Sequence, residues 1–118
     1  MIRVLGIANC DTVRKARGWL DAHGIAYEFV DFKKTPPARE AIERWCERLG
    51  ADTVVNRRGT TWRKLEAAVQ ARADTPAGAV ALLLAHPSAI KRPVVESGNE
   101  VWVGFDEATF ARRLGVHD

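Results

Sequence analysis

"GIANCDTVRKARGWL", residues 6–20, sets a single cysteine between an apolar run and a helical pattern. The run before it, "IRVLGIA" (residues 2–8), is short and rich in branched side chains, which reads as a strand buried on both faces. After Cys10, the residues Val13, Ala16 and Leu20 recur at helical spacing with Trp19 beside them. Asp11 and Thr12 supply capping and first-turn chemistry, and Gly24 follows as a stop. "AYEFVDF" (residues 26–32) then reads as a second strand, with Tyr27 and Phe29 on one side. A strand, a helix and a strand with short joints form a βαβ unit, whose strands should be parallel and whose crossover should be right-handed.

The middle of the chain reads as helical. "AREAIERWCERLG" follows Pro36 and Pro37 and aligns Ala38, Ile42, Trp45, Cys46 and Leu49 on one stripe. "NRRGTTWRKL" (residues 56–65) is a polar loop that resumes a helix carrying Trp62, Leu65 and Val69. "DTPAGAVALLLAHP" (residues 74–87) offers Thr75 as N-cap and Pro76 at the first helical position. It is apolar almost all round, so it should be well buried. The tail changes period: "PVVES" and "EVWVGF" flank Gly98 and Asn99 as a hairpin, and Asp106 caps a last helix with Phe110 and Leu114 on one face. The order β-α-β, helices, β-β-α fits one α/β domain over residues 1–118. Its parallel and antiparallel halves share a sheet, with a helical insertion at about residues 36–87. That is the layout of a thioredoxin-like fold. The four tryptophans, Trp19, Trp45, Trp62 and Trp102, are expected in the core.

Bulk composition narrows the function classes. The 118 residues suit one core. With 47% hydrophobic and 28% charged residues the chain is ordinary for a soluble globular protein. "AGAVALLLAH" (residues 77–86) is too short to span a bilayer, and "MIRVLGIANCD" lacks the features of a signal peptide, so a cytoplasmic protein is expected, with no membrane partner. Two cysteines, Cys10 and Cys46, are too few for a disulfide scaffold. His23, His86 and His117 are scattered, so no metal site is expected. A net charge of +3 favours anionic small molecules but is too small to imply nucleic acid.

A cysteine closing a strand is often a small hydrophobe, so position alone leaves Cys10 evenly divided between packing and chemistry. Its place at a helix start favours the thiolate, because unpaired N–H groups and the macrodipole converge there. Arg14 and Lys15, one turn on, add positive charge, while Asp11 opposes them. Cys46 lies on its helix's apolar stripe and reads as structural. Arg57 and Arg58 precede a glycine and two hydroxyl residues, and Lys91 and Arg92 directly precede Pro93. Two basic pairs in loops suit an oxyanion or carboxylate pocket, which arginine's fork of donors serves well. Pro93 at a strand start fits an edge or a cis peptide.

Together "GIANCDTVRKARGWL", "NRRGTTWRKL", "IKRPVV" and "VWVGF" resemble the YffB-like branch of the arsenate reductase (ArsC)/Spx family, in order and over nearly the whole chain. The resemblance implies a thioredoxin-like fold with a helical insertion, and Cys10 as the nucleophile. It implies Arg92 before a cis-proline at Pro93, and Arg58, or less closely Arg57, as the insertion-loop arginine. Arsenate reductases of this type use a further arginine near the last strand, where this chain has Gly104 and Phe105. A CxxC switch at the first motif is excluded by Val13.

The resulting expectation is a glutathione-dependent thiol reductase with one nucleophile, Cys10. Arg92 and Arg58 would hold glutathione carboxylates, and Asn9 and Thr12 would hydrogen-bond around the sulfur. Glutathione is the expected co-substrate, with no bound cofactor. The expected partners are a small thiol or oxyanion substrate and glutaredoxin, with the chain a monomer. The alternatives are a glutathione/glutaredoxin-coupled arsenate reductase and an Spx-like protein-binding regulator without chemistry.

Overall fold

The computed structural model describes residues 1–116. Four strands make one sheet: β1 (Ile2–Gly6), β2 (Glu28–Asp31), β3 (Val94–Ser97) and β4 (Glu100–Val103), in the order β2-β1-β3-β4. β1 pairs parallel with β2 and antiparallel with β3, and β3 pairs antiparallel with β4. The parallel pair obliges the chain to cross over between β1 and β2. It does so through α1 (Asp11–Ala22). The antiparallel pair closes through Gly98, whose φ of 60° suits a tight hairpin. α7 (Glu107–Leu114) follows, its N-terminus capped by the Asp106 carboxylate, which accepts from the Thr109 N–H at 3.1 Å. The fold is thus the thioredoxin-like α/β arrangement that the element order implies.

By its contacts the chain divides into two compact units, Met1–Asp31 with Arg92–Asp118, and Phe32–Lys91. In the first unit, Val4, Val95 and Trp102 stand opposite one another on three adjacent strands. Ala16 and Leu20 of α1 and Phe110 of α7 pack onto that row. The spacing of 16 and 20 puts those side chains on one side of α1, and the cross-strand register puts Val4, Val95 and Trp102 on one face of the sheet. Each large fully buried side chain in this row contributes about 1.5–3 kcal/mol of transfer free energy. Trp19 is only partly buried: it meets Phe110 edge-on at 5.6 Å and lies against His23 at 4.0 Å. Of the four tryptophans, Trp45, Trp62 and Trp102 are in the core.

The second unit is helical: α2 (Arg39–Leu49), α3 (Ala51–Val54), α4 (Thr60–Lys64), α5 (Ala67–Gln70) and α6 (Pro76–Ala85), with two short 3-10 turns. Ile42 and Trp45 of α2 and Leu82 and Leu83 of α6 are buried. Thr75 caps α6 as its spacing implied, its hydroxyl accepting from the Gly78 N–H at 3.1 Å. Two expectations change. The helix expected across Trp62, Leu65 and Val69 breaks at Leu65, which is extended. The carbonyl that the break exposes, that of Trp62, accepts instead from the Leu65 N–H and from the Gln70 side chain at 2.8 Å. α6 is not buried all round, because Pro76, Ala77, Ala81 and Ala85 are exposed. Small side chains on the solvent side hide the amphipathic period from hydropathy. No helix among the described residues is long and apolar enough to cross a membrane.

Candidate active site

β1 ends at Gly6, two residues earlier than its apolar run suggests. The chain then turns through Ala8 and Asn9 and enters α1 at Asp11, which leaves Cys10, rather than Asp11 or Thr12, at the N-cap. Its backbone is extended there, with φ −143° and ψ 125°. Gly6 makes the turn sterically possible: a Cβ at that position would stand 2.9 Å from Val13 Cγ2 and 3.7 Å from the Arg92 Cβ. Only a residue without a side chain lets α1 come this close to the end of β1, while the Arg92 Cβ stands at ordinary contact distance.

Several groups act on the Cys10 sulfur. Partial burial pushes the thiol up. The Val13 N–H, a hydrogen bond from the Arg92 side chain, the Arg92 charge and the Thr12 N–H pull it down, and together they win. The net result is a thiol more acidic than an ordinary cysteine, as expected where a helix start and a guanidinium meet. Cys10 closes no capping hydrogen bond of ordinary geometry. Sulfur is a weak, diffuse acceptor, so the two amides act on it chiefly as oriented dipoles.

The positive charge comes from Arg92. Arg14 is turned away from this role: it donates to the Asn9 side-chain oxygen at 2.9 Å and pairs with Asp11. Neither Arg14 nor Lys15 is among the groups that shift the thiol. The Asn9 oxygen therefore faces Arg14, and Thr12 reaches the sulfur through its backbone rather than its hydroxyl. The Arg92–Pro93 peptide is cis. The Pro93 carbonyl accepts from the Gly104 N–H at 2.8 Å, and Gly104 has a φ of 83°.

The other sequence candidates lie in the helical unit. The Arg57 guanidinium sits over the Trp62 ring at 4.7 Å and pairs with Asp52 at 3.0 Å. Arg58 is exposed; its backbone N–H donates to the Asn56 side chain, and its guanidinium has no ion pair among the described residues. Cys46 is half-buried, and burial pushes its thiol up. The described residues hold no group of three or more His, Cys, Asp or Glu placed to bind a metal. His117 lies outside them. The helix-start amides expected to favour the thiolate are those of Val13 and Thr12; the spacing role of Gly6 was missed from sequence, and a glycine just before a strand-to-helix turn was the available signal.

A model of the ArsC family matches residues 5–112. The solved structure of a YffB protein is 48% identical, with a TM-score of 0.90, over 95% of this chain and 97% of that one. An arsenate reductase (ArsC) related protein from Brucella melitensis is 42% identical with a TM-score of 0.75, over 96% and 93% of the two chains. An uncharacterised protein of Haemophilus influenzae is 36% identical over 110 residues, which is 93% of this chain and 96% of that one. The global transcriptional regulator Spx of Streptococcus mutans is 23% identical over 91% of this chain and 78% of its own.

Proposed function

The chain belongs to the ArsC family, and from that premise we propose that it is a glutathione-dependent thiol reductase with Cys10 as its nucleophile. The observation that carries this reading is the place of Cys10 at the N-cap of α1, where the Val13 amide and the Arg92 guanidinium both draw its thiol down. The Cys10 thiolate attacks the glutathione sulfur of a mixed disulfide RS–SG. The RS–SG bond breaks, RS⁻ leaves and takes a proton from water, and Cys10 becomes glutathionylated. A second glutathione attacks that glutathione sulfur as thiolate, which releases GS–SG and restores the Cys10 thiolate. The net reaction is RS–SG + GSH → RSH + GS–SG.

Arg92 serves both steps, since the interaction that stabilises the attacking thiolate also makes it a better leaving group in the second. A guanidinium has five donors, so holding a sulfur and holding a glutathione carboxylate are compatible tasks. Arg58 is the further carboxylate contact in this reading. Arg57 is less suited, because Asp52 and Trp62 already engage it. Cys46 takes no part: its burial disfavours the thiolate.

The test is glutathione-coupled reduction of the mixed disulfide between glutathione and 2-mercaptoethanol. Turnover by the wild-type chain that disappears in Cys10→Ser supports the proposal; no turnover by either rejects it. The Spx relatives favour a second reading, a regulator that binds a protein partner without chemistry. In that case Cys10→Ser would leave partner capture intact.

A further inference from the structure

The charge of this chain is segregated. The helical unit, Phe32–Lys91, carries eleven Lys and Arg against six Asp and Glu, a surplus of five positive charges. The sheet unit carries seven basic and nine acidic residues, so its balance is negative. The whole-chain value of +3 conceals this. Within the helical unit the surplus is densest at residues 57–64, "RRGTTWRK", which hold four cations and no acid. Arg57 is neutralised by Asp52. Arg58, Arg63 and Lys64 are all exposed, and none makes an ion pair among the described residues. Glu66 is the next acid along the chain.

We propose that this loop and α4 form a docking surface for acidic protein segments. The preferred substrates are then mixed disulfides of proteins whose modified thiol lies near Asp and Glu. This rests on the reductase reading and names its substrate class. Glutathione itself presents one carboxylate at each end, and one or two arginines suffice for it. A further exposed pair, Arg63 and Lys64, is in excess of that need and suits a longer anionic partner. Complementary charge raises the encounter rate and falls with salt, because the screening length is only about 8 Å at physiological ionic strength. A protein fits better than a nucleic acid. Trp62, the aromatic in the segment, is buried under Arg57 and offers no face on which a base could stack.

The experiment has a binding arm and a catalytic arm. In the first, the full chain carrying Cys10→Ser is titrated against fluorescein-labelled acidic and basic peptides and a single-stranded oligonucleotide of the same charge as the acidic peptide. The acidic peptide should bind more tightly than the basic one and loosen with salt. Arg63→Glu with Lys64→Glu should weaken it about tenfold, and Arg63→Gln with Lys64→Gln should weaken it less. Equal binding of the two peptides, or tighter binding of the oligonucleotide, overturns the proposal. In the second arm, the charge reversal should lower kcat/KM for a glutathionylated acidic peptide about tenfold. It should leave the 2-mercaptoethanol mixed disulfide unchanged, and an equal fall for both substrates overturns the proposal. If the acidic peptide binds as expected but nothing is reduced, the docking surface stands and the reductase reading fails.

Discussion

The Arg92 side chain donates a hydrogen bond to the Cys10 sulfur, so the residue before cis-Pro93 joins the Val13 amide in drawing down the thiol at the start of α1. Position in sequence suggested Arg14 and Lys15 for this task. Their proximity along the helix proved irrelevant, because Asn9 and Asp11 occupy Arg14.

Removing that guanidinium should therefore raise the thiol. In a Cys46→Ser background, iodoacetamide alkylation of Cys10 should titrate below the ordinary cysteine value of about 8.5. Arg92→Gln should move the titration upward and slow alkylation several-fold at neutral pH. Arg92→Lys should fall between, since it keeps the charge and loses the planar fork. An unchanged profile in Arg92→Gln would assign the acidity to the Val13 and Thr12 amides alone.

The two cysteines should separate cleanly in activity. Cys10→Ser should abolish glutathione-coupled turnover, and Cys46→Ser should retain most of it. Equal loss in both variants would sink the single-cysteine cycle.

Gly6 is a packing constraint with a functional consequence. Gly6→Ala places a Cβ 2.9 Å from Val13 Cγ2, so α1 must shift. Overpacking of this kind costs about 1–3 kcal/mol, measurable by urea unfolding. Because Val13 also supplies an amide to the sulfur, the variant should raise the alkylation titration of Cys10 as well as lower stability. Stability lost with the titration unmoved would separate the two effects.

The cysteines should also leave opposite signs on stability against pH. The folded state lowers the Cys10 value below its unfolded one. Between the two values the unfolded chain holds more protons, so this contribution grows as pH rises, is full above the unfolded value, and is lost as pH falls through the folded value. The folded state raises the Cys46 value. Its contribution is full below the unfolded value and is lost as pH rises through the folded one. Cys46→Ala should therefore flatten an alkaline decline in stability. Cys10→Ala should remove a gain on the alkaline approach to the unfolded cysteine value, as read by urea unfolding across pH.

Local patterns settle local structure, and much of this chain is local. The spacing of Val13, Ala16 and Leu20, the Thr75 and Asp106 caps and the Gly98 hairpin are each decided by residues a few positions apart, and each was legible as sequence. The element order was compatible with the thioredoxin-like layout, and the resemblance singled out that layout and the cis-proline. Where local rules compete, the pattern misled: the break at Leu65 depends on Gln70 reaching back to the Trp62 carbonyl, and the exposed side of α6 is masked by alanines.

The identity of the thiol and its place before a helix were determined by sequence alone, because both follow from nearest neighbours and helix periodicity. The Val13 and Thr12 amides that favour its charge come with the helix start, but the guanidinium beside it was decided only by tertiary structure. β1 and β3 pair antiparallel, setting Leu5 beside Val94 and so carrying the Arg92 loop to the end of β1. A pairing between distant segments brings a guanidinium to a sulfur in a way that no local spacing encodes.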